Sequence, residues 1–379
     1  MDLFENVNCV KICAPMVRYS KLPFRLLVKD YGCDLMYSPM IMADSFYNSQ
    51  KARDNEFITS EDDRPLIVQF AANQSIHFSE SARMVEKYCN GVDLNCGCPQ
   101  KWAIKEGIGA CLINNPEFVA DVVKQTRMKV SNPNFSVSVK IRIHEDISQT
   151  VDLCRQIQAA GASYITVHGR TRTQKGEPVN LEAISTISKS LSIPVVANGD
   201  IKTLDDVNRV HEITGCKGVM SARGMLENPA MYAGYTSTPL QCVSDWVRIS
   251  LERGTPFTTF HHHLIYMLDK LLPRFSRAVI FGYSEEIIPS KPLRRVSGFG
   301  CLKVLLVAGS GMYLGAQIAI RMDDRRRLQV EAAERRLQQQ ETRGLKEPSR
   351  LESKQKEMEK YSRIAQERGG EAPMKWQVG

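Results

Sequence analysis

Eight short apolar runs, each closing on small or polar residues and separated by amphipathic stretches, constrain this chain more than any other feature. They lie at 10–14 (VKICA), 35–38 (LMYS), 66–70 (LIVQF), 92–95 (VDLN), 137–142 (VSVKIR), 164–169 (YITVHG), 195–200 (VVANGD) and 218–223 (GVMSAR). Helical patterns such as 117–128 and 150–160 lie between them. Eight strands alternating with helices predict an α/β fold, a (β/α)8 TIM barrel. A doubly wound sheet is the alternative. Against it, no GxGxxG follows the first run, and polar residues close nearly every run rather than one switch point.

Barrels of this kind carry their chemistry at the C-terminal rim, which here gathers Gln69, Asn95, Lys140, Arg142, His168, Asn198 and Arg223. Taken singly, a polar residue that ends a strand meets solvent. Its recurrence over most of the strands points to a site.

Composition narrows the class. With 43% hydrophobic and 24% charged residues in 379, the chain is neither disordered nor collagenous. An excess of 50 Lys and Arg over 42 Asp and Glu, a formal +8, favours an anionic partner, RNA or an acidic membrane surface, without choosing between them. Eleven cysteines with no secretory core in the first ten residues imply reduced thiols in a cytosol-like compartment. There is no CxxC pair, and His261, His262 and His263 cannot all point one way on a helix, so no metal is expected.

Five regions follow from the pattern: a barrel at 1–235, a short helical region at 236–275, a linker at 276–297, an apolar stretch at 298–320 and a charged tail at 321–379. Helices are expected at 240–253 and 260–272, with Thr255-Pro256 between them. The stretch at 298–320 is long enough to span a bilayer, with Lys303 near its start, so membrane anchoring of an otherwise cytoplasmic protein is expected. Arg294 and Arg295 before it and Arg325, Arg326 and Arg327 after it leave orientation undecided.

The most informative string is DLNCGCP at 93–99, where a strand leaves into a loop bearing two thiols; Gly97, Gly107 and Gly109 allow a planar ligand to approach closely. Cys96 adjoins the strand, whereas Cys98 lies farther into the loop. A free thiol, with a pKa of about 8.5, keeps its proton near neutrality and suits a general acid. CAPMVRYS at 13–20 is a rim loop whose backbone can line a flat ring. ANGDI at 197–201 and SARGMLENP at 221–229 precede helices where barrels cradle phosphate, so a phosphorylated cofactor is implied.

Together, APMVRYS, Gln69 in VQFAAN, DLNCGCPQ, KIRIH, TVHGRT, ANGDI and ARGMLENP resemble the tRNA-dihydrouridine synthases, FMN-dependent reductases of tRNA uridines. Within that family the branch acting at D-loop positions 20a and 20b is the most similar. The resemblance covers about 11–270; beyond it the family's helical tRNA-binding domain is no longer recognisable, which makes 236–275 a partial version of it.

The resemblance implies a TIM barrel holding FMN, with NADPH or NADH as reductant and tRNA as partner of a monomeric barrel. Pro15, Met16 and Val17 would meet the isoalloxazine through their backbone, Gln69 its pyrimidine edge, and Lys140 the N1–O2 side where reduced flavin is anionic. His168 would assist there or contact phosphate. Asn198, Gly199, Asp200, Ala222 and Arg223 would hold the phosphate. Hydride would pass to uracil C6 and a proton from Cys98 to C5, with Asn95 orienting the base and Arg142, Arg170 and Arg172 gripping RNA phosphates as surface arginines. A small-molecule FMN reductase and a membrane-tethered tRNA- or flavin-binding protein without turnover remain the alternatives.

Overall fold

The computed structural model describes residues 4, 5 and 7–271; the apolar stretch at 298–320 and the charged tail at 321–379 lie outside the described residues. The described residues form nine parallel strands: β1 (Val10–Cys13), β2 (Leu35–Tyr37), β3 (Ile41–Met42), β4 (Leu66–Ala71), β5 (Gly91–Cys96), β6 (Ser136–Arg142), β7 (Tyr164–His168), β8 (Val195–Asn198) and β9 (Gly218–Ser221). Each of the eight apolar runs is a strand. In order β2-β1-β9-β8-β7-β6-β5-β4, with β4 pairing back onto β2, they close an eight-stranded barrel wrapped by helices.

The ninth strand, β3, continues the lane of β2. Met36 and Tyr37 pair with Leu66 and Ile67, and Ile41 and Met42 with Phe70 and Ala71. Pro39 breaks the ladder between them because it has no N–H to donate. Ser38 bridges the gap: its N–H donates to the Ile67 carbonyl (2.9 Å) and its Oγ accepts the Gln69 N–H (3.0 Å).

Side-chain caps decide where the outer helices begin. Asn115 accepts from Phe118 N–H at the start of Pro116–Lys129, Asp146 from Ser148 N–H before Ile147–Ala159, and Asn180 from Ala183 N–H before Leu181–Lys189. Thr203 and Asp206 form a reciprocal capping box on Leu204–Thr214. Each helix turns an apolar stripe inward, Val119, Val122 and Val123 in the first case, onto strands that are almost wholly buried. Inside the barrel the Tyr37 and Tyr164 hydroxyls meet at 2.5 Å, and Phe4 packs on Tyr164 with ring centres 5.0 Å apart.

After the barrel come helices Leu240–Glu252 and Phe257–Leu268. The second starts three residues earlier than the sequence reading, directly after Pro256, whose fixed φ suits the residue that precedes a first turn. Buried Trp246 stacks on Phe260. His263 lies between Phe24 and Trp246, 4.5 Å from each ring centre, which fastens this pair to barrel helix Leu22–Asp30. Among the described residues, no helix is long and apolar enough to cross a membrane.

Candidate active site

Alternate residues of a strand share a face, so Asp93 and Asn95 on β5 and Ser138, Lys140 and Arg142 on β6 rise in columns towards the C-terminal rim. Asn95 pairs in register with Lys140, Lys140 with Thr166, Arg142 with His168, and His168 with Asn198. At the foot is Asp93, fully buried, which accepts hydrogen bonds from Gln69 Nε2 (2.8 Å) and Ser138 Oγ (2.7 Å). Burial raises its pKa to about 6 against the opposing pull of those bonds and of Lys140. The sequence reading missed Asp93. A carboxylate inside an apolar strand run was the available signal.

Gln69 transmits this arrangement upward, because its Oε1 accepts from Asn95 Nδ2 at 2.8 Å and its amide is held at both ends. Asn95 in turn accepts the N–H groups of Gly97 (3.1 Å) and Cys98 (3.0 Å) on one oxygen, shaping the cysteine loop. Cys98 O accepts from Ala110 N–H at 2.9 Å. Gly109 has φ 74°, and a Cβ there would fall 2.7 Å from that oxygen, so the close approach requires glycine. The two thiols separate clearly: Cys96 is fully buried, which pushes its pKa up, whereas Cys98 is only partly buried and packs with Met40 and Met42 on Ala71, Ala103 and Ile108.

Four cations surround the opposite side. Lys140 makes no hydrogen bond or ion pair among the described residues; burial lowers its pKa to about 8, with Arg142 adding to the effect and Asp93 opposing it. His168 is pushed down to about 2 by burial and by Lys140, Arg142, Arg170 and Arg223, so its imidazole is neutral, with Nε2 3.4 Å from Arg170 Nη1. Gly199 closes on this ring: a Cβ there would lie 3.0 Å from His168 Cδ2. Asn198 Nδ2 donates to Met220 O at 2.8 Å and stitches β8 to β9. Ala222 precedes helix Arg223–Glu227, and the Arg223 side chain is 69% exposed, 3.5 Å from Asp200.

Two of the expected RNA-gripping arginines are not surface arginines. Arg142 is 7% exposed and donates to the carbonyls of Gly97 (3.0 Å), Thr171 (2.7 Å) and Gln174 (3.0 Å). Arg170 is 2% exposed and donates to Glu177 O and to the Asp200 carboxylate. Both are clamps because the chain after β7 folds back over them. Arg172 is exposed and makes no ion pair among the described residues. In the β1 loop, Met16 N–H is tied to Ser20 Oγ (2.9 Å) and Met16 O accepts from Tyr19 and Ser20. The segment therefore presents Val17, which is 54% exposed, and half-buried Pro15, whereas Met16 is buried with its N–H committed.

The dihydrouridine synthase (Dus) family profile matches residues 12–295, well over half of the chain. The chain belongs to the dihydrouridine synthase family. The match runs past Lys270, where the resemblance was expected to end, to residue 295. This synthase is 57% identical over 285 residues to the human tRNA-dihydrouridine(20a/20b) synthase [NAD(P)+]-like protein, covering 75% of this chain and 90% of that one. It is 44% identical to the Schizosaccharomyces pombe tRNA-dihydrouridine(20a/20b) synthase [NAD(P)+], over 74% of this chain and 85% of that one. To the rat tRNA-dihydrouridine(16/17) synthase [NAD(P)(+)]-like protein it is 36% identical, over 67% of this chain and 58% of that one.

Proposed function

We propose that this synthase reduces uridines 20a and 20b in the D-loop of tRNA, using FMN and a nicotinamide nucleotide, NADPH or NADH, with Cys98 as proton donor. The observation that carries the reading is a partly exposed thiol fixed on a glycine-backed loop beside a barrel mouth rich in cations. The position is supported by identity, 57% with a 20a/20b relative against 36% with a 16/17 relative.

The mouth fits FMN. The Lys140 side chain has no hydrogen-bond or ion-pair partner among the described residues, and the buried Thr166 hydroxyl, its neighbour in register, has none either; a ring rich in acceptors would supply both. Arg223 is free enough to meet a phosphate. When bound, FMN carries hydride from the nicotinamide to C6 of the uracil.

The chain's own groups do the rest. Asn95, locked by Gln69, sets the Cys98 loop and orients the base. Cys98 gives its proton to C5 as negative charge develops there. Lys140 and neutral His168 would hold the side on which a reduced flavin is anionic, and Arg172 would contact RNA phosphate. Target bases in an unpaired loop leave their stack cheaply, which suits the D-loop as substrate. Cys98→Ala should keep its flavin absorbance yet form dihydrouridine at least about a hundredfold more slowly in single-turnover assays; an undiminished rate would remove Cys98 from the reaction.

A further inference from the structure

Beside the cysteine loop lies a cavity of about 650 Å³, walled by helices Ala43–Asn48 and Gln50–Glu56 and by Trp102 and Val17. Its floor is apolar, formed by Met40, Ile41, Met42 and Phe46. Met40 and Met42 are the side chains that also pack with Cys98 on Ala71, Ala103 and Ile108, so the cavity and the thiol share one wall. Its size is typical of small-ligand sites, ~300–1,000 Å³.

Trp102 is 49% exposed and, among the described residues, makes no ring contact and no side-chain hydrogen bond. An indole left open at the edge of an apolar cavity offers a stacking face for any base. Lys51 lies in the wall, while Arg18 and Lys101 adjoin Val17 and Trp102 in the chain; none of the three makes an ion pair among the described residues. Glu56 contributes a carboxylate, and Asn55, Ser45 and Ser49 add polar edges. An apolar slot with an unpartnered aromatic face and uncommitted cations beside it has the complementarity of a nucleotide: a flat base and a phosphate.

We propose that this cavity receives the unstacked nucleobase next to the uridine being reduced, stacked on Trp102, with its phosphate met by Lys51. The proposal rests on the tRNA reading above. It adds a subsite that holds the strand on the near side of Cys98 while the target base enters the mouth.

The test is the affinity of the full flavin-loaded chain for unmodified tRNA, followed by fluorescence anisotropy. Trp102→Ala should weaken binding about tenfold, at an unchanged flavin-to-protein ratio, and Trp102→Phe should recover most of it. Lys51→Ala should reduce the salt slope by about one. A transcript with abasic nucleotides flanking the target should lose as much with the unsubstituted protein and little more with Trp102→Ala. Unchanged binding by Trp102→Ala, losses that simply add, or a loss confined to NADPH affinity would each overturn the subsite and leave the tRNA reading standing. Absence of any tRNA binding by the unsubstituted chain would overturn both.

Discussion

Lys140 shows how burying a single cation, here one proposed to meet the flavin, costs stability. Its pKa of about 8 lies below the ordinary lysine value because the ammonium is desolvated among other cations. The unfolded chain therefore binds the proton more tightly than the folded one. The stability penalty is complete below about pH 8 and disappears as pH rises past the unfolded value near 10.5. Lys140→Met should accordingly melt at a higher temperature than the unsubstituted flavin-free protein at pH 7, with the difference shrinking towards pH 10, while its affinity for FMN falls. A lower melting temperature at pH 7, measured calorimetrically, would contradict that account. The roles of residues were only partly legible in the sequence. Which of Cys96 and Cys98 is reachable followed from sequence position, since Cys96 ends β5 and Cys98 lies two residues beyond it. The committed amides of Gln69 and Met16 did not, because their pairing with Asp93 and Ser20 is set by the folded geometry, which the motifs holding those residues do not specify.

At the scale of elements, the site is a set of loops held by buried polar clamps. Arg142 ties the loop after β5 to the loop after β7 by donating to three carbonyls. Arg142→Ala leaves those acceptors unpaired and should cost about 2–4 kcal/mol in urea unfolding. Arg142→Lys should recover less than half, since one ammonium cannot span carbonyls on two loops; full recovery would show that charge alone matters there. Strands were readable because each run is apolar, short and punctuated, whereas β3 was hidden: the lane from Leu35 to Met42 is broken at Pro39 and bridged only by Ser38. Helix starts moved by one to three residues because Asn115 and Asp146 cap from outside the apolar periodicity. Arg142 and Arg170 were read as surface cations because nothing local reveals that residues 171–177 return over the rim.

For the whole molecule, the successive pairing of β5 to β8 sets Asn95 beside Lys140, Arg142 beside His168 and His168 beside Asn198, although more than a hundred residues separate the first from the last. The helices after the barrel are locked to it through Trp246, His263 and Phe24, so the β1 loop, whose Tyr19 carbonyl lies 3.2 Å from His263 Nε2, is braced from the C-terminal side. The measurement that bears most directly on the account is position-resolved mass spectrometry of an unmodified tRNA transcript incubated with the purified full chain, FMN and NADPH. Dihydrouridine at positions 20a and 20b, with none at 16 and 17, is the predicted result. Flavin reduction by NADPH without dihydrouridine anywhere in the transcript would contradict it.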